Sequence, residues 1–203
     1  GNAFYAVTVG MARIVMINAY SSVDPGSVQY DWIQKELQGV DRTKTPWLLA
    51  VLHTPMYNTF GLHTHDTQMR QARVHLEPLF VEHKVNIVVS GHIHAYQRTH
   101  QVVNGTVSSG APMHMTVGAG GRKCEAPFAQ KEAEDWLAVR DATFYGYGRL
   151  HMESPERAVW EWIHTGDTDE GRTYNQLKKN DTVHLEKGPV RDVVVIQNYA
   201  LPS

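Results

Sequence analysis

His53, His92 and His94 are the residues whose type and position promise chemistry. His53 closes the apolar run Trp47-Leu48-Leu49-Ala50-Val51-Leu52, and Val85-Asn86-Ile87-Val88-Val89-Ser90 runs directly into Gly91-His92-Ile93-His94. One histidine at a strand end is usually a hydrogen-bonded polar residue; three at one sheet edge are hard to attribute to packing. Imidazole nitrogen suits zinc, iron, manganese and copper, and three histidines also fit a single zinc with one open position, so their number leaves the metal open. His92 and His94 are two apart, which in extended backbone sends both rings to one side, with Gly91 allowing a sharp turn beneath them.

The elements that must position these histidines follow from periodicity. The two apolar runs read as strands covered on both faces. Between them, Met69, Ala72, Leu76, Leu79, Phe80 and His83 share one helical face, with Arg70, Arg73 and Glu77 elsewhere. Strand, helix, strand over residues 47–90 is a βαβ unit, whose crossover makes the strands parallel and sets both C-terminal ends on the ligand-binding edge. Upstream, residues 4–20 predict two strands turning at Gly10, Asp24-Pro25 predicts a helix start, and Gly39 its end. Downstream, Met113–Val117, Gly148–Met152 and Ala158–His164 read as antiparallel strands and Asp192–Gln197 as a last short strand, after a polar stretch over 165–190.

Composition narrows the class. The chain has 203 residues, 42% of them hydrophobic, enough for one core, and its formal charge of −2 offers no basic excess for nucleic acid. No apolar run reaches the ~20 residues of a spanning helix, so a soluble protein is expected. Residues 1–20 show no targeting pattern. Cys124 is the only cysteine, which rules out a disulfide within the chain and makes pairing with another chain a possibility to test. Asn104-Gly105-Thr106 and Asn180-Asp181-Thr182 have the N-glycan acceptor pattern, pointing weakly to a secreted, extracellular or lysosome-like setting.

Val51-Leu52-His53 with Pro55, Tyr57 and Asn58, followed by Gly91-His92-Ile93-His94-Ala95-Tyr96, resembles the purple acid phosphatases. The similarity runs from about Phe4 to His164 and includes Met69-Arg70, Ala111-Pro112 and Thr143-Phe144 with Gly146 and Gly148. It implies an α/β metallophosphoesterase-type sandwich of mixed β-sheets flanked by helices, the chain (1–203) being the C-terminal half of that domain. It further implies His53 and His92 on a divalent metal (Zn, Fe or Mn), His94 on Fe(III), and hydrolysis of phosphate monoesters. His63 occupies the position of the family's proton donor, with His65 as a nearby rival and a surface loop as the plain alternative. Tyr57 and Tyr96 either line the site or pack beneath it.

The carboxylate, tyrosine and asparagine ligands of that family do not precede His53. The dinuclear centre is therefore expected only with an N-terminal half or companion chain, and a noncatalytic phosphatase-fold subunit is the reading from another class. Gln97 stands where the family usually has Glu, and Ala119 where Asp is common. Gln97 keeps hydrogen-bonding capacity but loses the charge, so weaker support of the histidines is expected without loss of a ligand, which favours the noncatalytic reading. Gly118, Gly120 and Gly121 are expected to form a tight turn after a strand rather than a phosphate cradle.

Overall fold

The computed structural model describes residues 2–121, 127–129, 132–167 and 190–201. Cys124 and the Asn180 acceptor lie outside them. Strands β1 (Tyr5–Val9) and β2 (Ala12–Ile17) pair antiparallel across Gly10, whose φ of +54° suits glycine. Helix α1 (Val28–Gln38) starts later than Asp24-Pro25 suggested. Those residues lead into a turn through Gly26 at φ +85°, a conformation that no helix contains, and Ser27 becomes the cap, its Oγ accepting from the Tyr30 amide. Gly39 ends α1 as expected.

Strand β3 (Trp47–Leu52), helix α2 (Thr67–Glu82) and strand β4 (Ile87–Ser90) form the predicted βαβ unit, with β3 parallel to both β2 and β4. Arg42 secures its base: the guanidinium donates to the carbonyls of Pro46, His83 and Lys84 and to Asn86 Oδ1, satisfying groups left open at the end of α2. Strand β5 (Tyr96–Val103) then turns at Asn104-Gly105, φ +49° and +76°, into β6 (Thr106–Val107), a turn chemistry that Asn-Gly favours. Strand β7 (Met113–Val117) inserts between β4 and β5, parallel to β4 and antiparallel to β5. The antiparallel expectation for Met113–Val117 thus holds on one side only, because the chain returns from the hairpin into the gap beside β4. Strand β8 (Leu137–Asp141) adds to the other side of β5.

A second sheet contains β9 (Phe144–Met152), β10 (Arg157–Asp167) and β11 (Val190–Gln197), all antiparallel. β10 extends past the predicted His164. The result is the expected mixed-sheet sandwich, and among the described residues both helices pack on the same face. Ile33 and Leu37 of α1 and Ala72, Leu76 and Phe80 of α2 cover Val15, Leu48, Ala50 and Val88, while the second sheet brings Trp160, Trp162 and Ile196 onto Trp47, Leu49, Ile87 and Met115. Gly146 and Gly148 make room for those tryptophans, since a Cβ at either position would run into the indole rings opposite.

Tyr96 stacks on Trp162 at 4.3 Å, donates to Asp192 Oδ2 at 2.5 Å and accepts from Trp160 Nε1 at 2.8 Å. Arg98 grips the same carboxylate with two bonds, at 2.6 and 2.8 Å. This buried network ties β5 to the second sheet, so Tyr96 is structural and does not line the histidine site. Tyr57 is likewise buried, its hydroxyl donating to Glu77 and accepting from the Gly105 amide. Burial and the Glu77 carboxylate push its pKa up to about 12.

His114 lies fully inside, edge-on to Tyr57 at 4.8 Å, and neither ring nitrogen has a hydrogen-bond partner among the described residues. Burial, aided by Arg73, pushes its pKa down to about 3. The unfolded chain, with a histidine pKa of about 6.5, binds a proton that the folded chain refuses, so stability falls as pH drops through 6.5. The penalty reaches about 2 kcal/mol at pH 5. His114→Phe should therefore lose less Tm than wild type between pH 7 and pH 5; equal losses would contradict the assignment.

Candidate metal centre

The parallel register that sets Leu52 beside Ser90 brings the C-terminal ends of β3 and β4 together, and the ladder continues one step further. The Gly91 amide donates to the His53 carbonyl at 3.0 Å, which locks the two histidine-bearing turns side by side. The chain then folds into a three-residue turn, the Ile93 amide donating back to the Gly91 carbonyl at 2.7 Å, with His92 at its centre and φ +65°. The extended geometry expected for His92 and His94 is thus not adopted. The left-handed residue is the histidine and not Gly91, a conformation that costs of order 1–3 kcal/mol and persists only where its surroundings impose it.

Gly118 is one of those surroundings. Its amide donates to the Ala95 carbonyl at 3.1 Å, and a Cβ on it would collide with the Ile93 carbonyl oxygen. The glycine-rich segment after β7 therefore serves to let the histidine turn sit flat against the sheet. The neighbouring Ala119 is buried and accepts from the Gly146 amide, so it too is a packing residue.

His92 Nδ1 and His53 Nε2 face each other at 3.2 Å, and His92 Nε2 lies 2.8 Å from Asp66 Oδ2. The same carboxylate oxygen is 3.1 Å from His63 Nδ1. His63 also has positive φ, +60°, and its ring centroid is 4.2 Å from that of His92. His63, Asp66 and His92 can offer one ligand atom each within a span of 4.8 Å. Neutral imidazole and carboxylate donors in this number suit zinc or iron, so the residues present fit a first-row metal. His94 stands outside that trio but near enough to act on His53 electrostatically. His65 is exposed and lines a groove along α2.

Asp66 is the functional residue that sequence reasoning missed. It sits at the N-cap position of α2, where an aspartate reads as an ordinary cap, yet its side chain makes no capping bond. Forgoing a cap costs about 0.5–2 kcal/mol, which the two histidine contacts offset. The hydrogen bond from His92, followed by that from His63, holds the Asp66 carboxyl below its ordinary pKa, so it stays an anion to lower pH than a free aspartate. Partial burial, then the charges of His92 and His94, lower the His53 pKa. Its ring accordingly stays neutral, as a ligand must, to lower pH than a free histidine.

Gln97 supports the site indirectly, its side-chain hydrogen bonds going to Thr59 and Tyr57. Its Oε1 accepts from the Thr59 amide at 3.0 Å and the Thr59 hydroxyl at 2.6 Å, while Nε2 donates to the Tyr57 carbonyl at 3.0 Å. A glutamate could not donate that last bond. The amide thus pins the start of the loop that delivers His63 and Asp66.

Comparison with known proteins adds a family context. The model for calcineurin-like phosphoesterases matches residues 6–96, and one described as iron/zinc purple acid phosphatase-like protein C matches residues 111–173. Purple acid phosphatase 18 of Arabidopsis thaliana is 35% identical over 192 residues, covering 93% of this chain and 43% of that protein. Fe(3+)-Zn(2+) purple acid phosphatase 12 of the same plant is 34% identical over 177 residues, covering 81% and 37%. The structure of a purple acid phosphatase isolated from yellow lupin seeds superposes with a TM-score of 0.77 at 23% identity, over 96% of this chain and 32% of that one. The chain spans about two fifths of the length of the curated relatives it matches.

Asp66→Asn removes the anion while leaving the side-chain shape. Zinc affinity, measured by titration calorimetry, should fall about 10–100-fold with little change in Tm. A lower Tm with unchanged zinc affinity would instead mark Asp66 as a mere helix cap.

Proposed function

Because the chain belongs to the purple acid phosphatase family of metallophosphoesterases and corresponds to the C-terminal part of its members, we propose that it supplies the histidine side of a dinuclear centre hydrolysing phosphate monoesters. The observation that carries this reading is the facing pair His53 Nε2 and His92 Nδ1 at 3.2 Å, with Asp66 against the other nitrogen of His92. Fe(III) and a divalent zinc, iron or manganese ion would supply Lewis-acid charge and a water acidified toward neutrality. His53 and His92 would hold the divalent ion and His94 the iron. The remaining anionic ligands come from an N-terminal half or a companion chain.

Asp66 orients His92 and His63 and adds one negative charge to the rim of the site. By accepting from His63 Nδ1, it leaves Nε2 as the nitrogen that gives its proton to the leaving alcohol oxygen. Ester and water thus become alcohol and phosphate, and His63 regains its proton from solvent. Support for His63 over His65 is positional, since His63 lies against His92 and Asp66 while His65 is exposed. A secreted or lysosome-like location belongs to the same reading, its motive being the Asn104 acceptor on an exposed hairpin turn.

The test uses the complete polypeptide loaded with iron and zinc and assayed at acid pH. His63→Ala should lower kcat about 10²–10⁴-fold for alkyl phosphates and far less for p-nitrophenyl phosphate, whose phenolate leaves without a proton. His65→Ala should change either value less than about threefold. Folded, metal-loaded protein that releases no phosphate from any monoester would refute the function; equal losses on both substrates would remove His63 as proton donor.

A further inference from the structure

A groove of about 1220 Å³ begins at Asp66 and runs along α2 between that helix and the β5–β6 hairpin. Met69 and Trp136 give it apolar patches, and Arg70 and Arg73 line its first half. These arginines are three residues apart on α2, the spacing that sets two side chains on one helical face. Neither has a carboxylate partner among the described residues. Arg73 lies over the Tyr57 ring at 4.4 Å, which positions the guanidinium without neutralising it.

Among the described residues, none of the acids that share the groove forms an ion pair with Arg70 or Arg73. Glu77 is buried and committed to the Tyr57 hydroxyl and the Asn104 amide. Glu82 is nine residues beyond Arg73, about 13 Å along the axis at 1.5 Å per residue. Glu134 is exposed to solvent. Asp66 is held by His63 and His92. Two unpaired guanidinium groups at one place match a doubly charged phosphate better than a carboxylate, because each fork can take two of its oxygens.

We propose that Arg70 and Arg73 form a specificity subsite for a second phosphate on the leaving alcohol, so that the preferred substrates are bisphosphorylated sugars or polyols. Helical rise places the two arginines about 6 and 10 Å beyond Asp66, a span that a sugar bridges and a directly linked diphosphate does not. The reacting phosphate lies at the histidines, the sugar body rests on the Met69 and Trp136 side of the groove, and the distal phosphate takes the arginine pair. This rests on the phosphomonoesterase reading above.

The experiment compares fructose 1,6-bisphosphate with fructose 6-phosphate on the complete metal-loaded protein, wild type and Arg70→Gln/Arg73→Gln. The wild type should favour the bisphosphate in kcat/KM, and the double variant should lose about tenfold or more of that ratio, through KM. A wild-type ratio near one, or a ratio unaltered in the variant, overturns the subsite. Equilibrium binding of fructose 1,6-bisphosphate to metal-free protein keeps the two proposals separable. If no ester is turned over, binding that weakens about tenfold in the variant sustains the subsite while the hydrolase reading fails. Binding equal in both proteins, or absent from both, overturns the subsite.

Discussion

The hydrogen bond from the Gly91 amide to the His53 carbonyl is the contact on which the candidate centre depends. It extends the β3–β4 ladder past the last paired residues, Leu52 and Ser90, and converts two adjacent strand ends into one rigid platform. Without it, His53 and His92 would sit on independent loops, and a 3.2 Å approach of two imidazoles would cost ordering entropy at each. Everything nearby serves that platform. Gly118 lets the left-handed turn at His92 lie close, and Gln97 fixes the loop that brings in Asp66 and His63.

Strain at the site is compensated at some distance. Two site histidines, His63 and His92, adopt left-handed backbone that side chains disfavour. They are held by a scaffold whose two sheets are clasped through Tyr96, Arg98, Trp160 and Asp192, all on elements flanking the site and none in contact with the cluster's ring nitrogens. A buried pair such as Arg98 and Asp192 adds little net stability against an apolar alternative, yet losing one partner leaves an uncompensated charge at a cost of about 3–5 kcal/mol. Such a network favours a single arrangement of β5 against the second sheet, and β5 follows directly from the histidine turn.

Much of this was legible in the residues. The run Trp47–Leu52 is apolar on both faces and its observed bounds agree with the reading; the face of α2 followed from its spacing, and His53 and His92 converge as strand-end logic requires. What escaped has physical reasons. β5 carries buried Gln97, Arg98 and Thr99, whose polarity is satisfied only by partners remote in sequence, so its strand character is invisible locally. Asp66 reads as a helix cap because only tertiary contacts divert its carboxylate to His63 and His92. The parallel pairing of β7 depends on a gap beside β4 that no local pattern encodes. The left-handed turn at His92 needs Gly118, which lies 26 residues downstream.

Under the proposed function, the strand-end platform is the seat of the metal. Anomalous diffraction from crystals of the complete polypeptide, collected at the iron and zinc edges, tests it most directly. Two metal peaks are predicted, one within bonding distance of His53 and His92 and the other of His94, with Asp66 hydrogen-bonded to a ligand histidine. Metal bound away from these three histidines, or none in folded protein saturated with both ions, would contradict it.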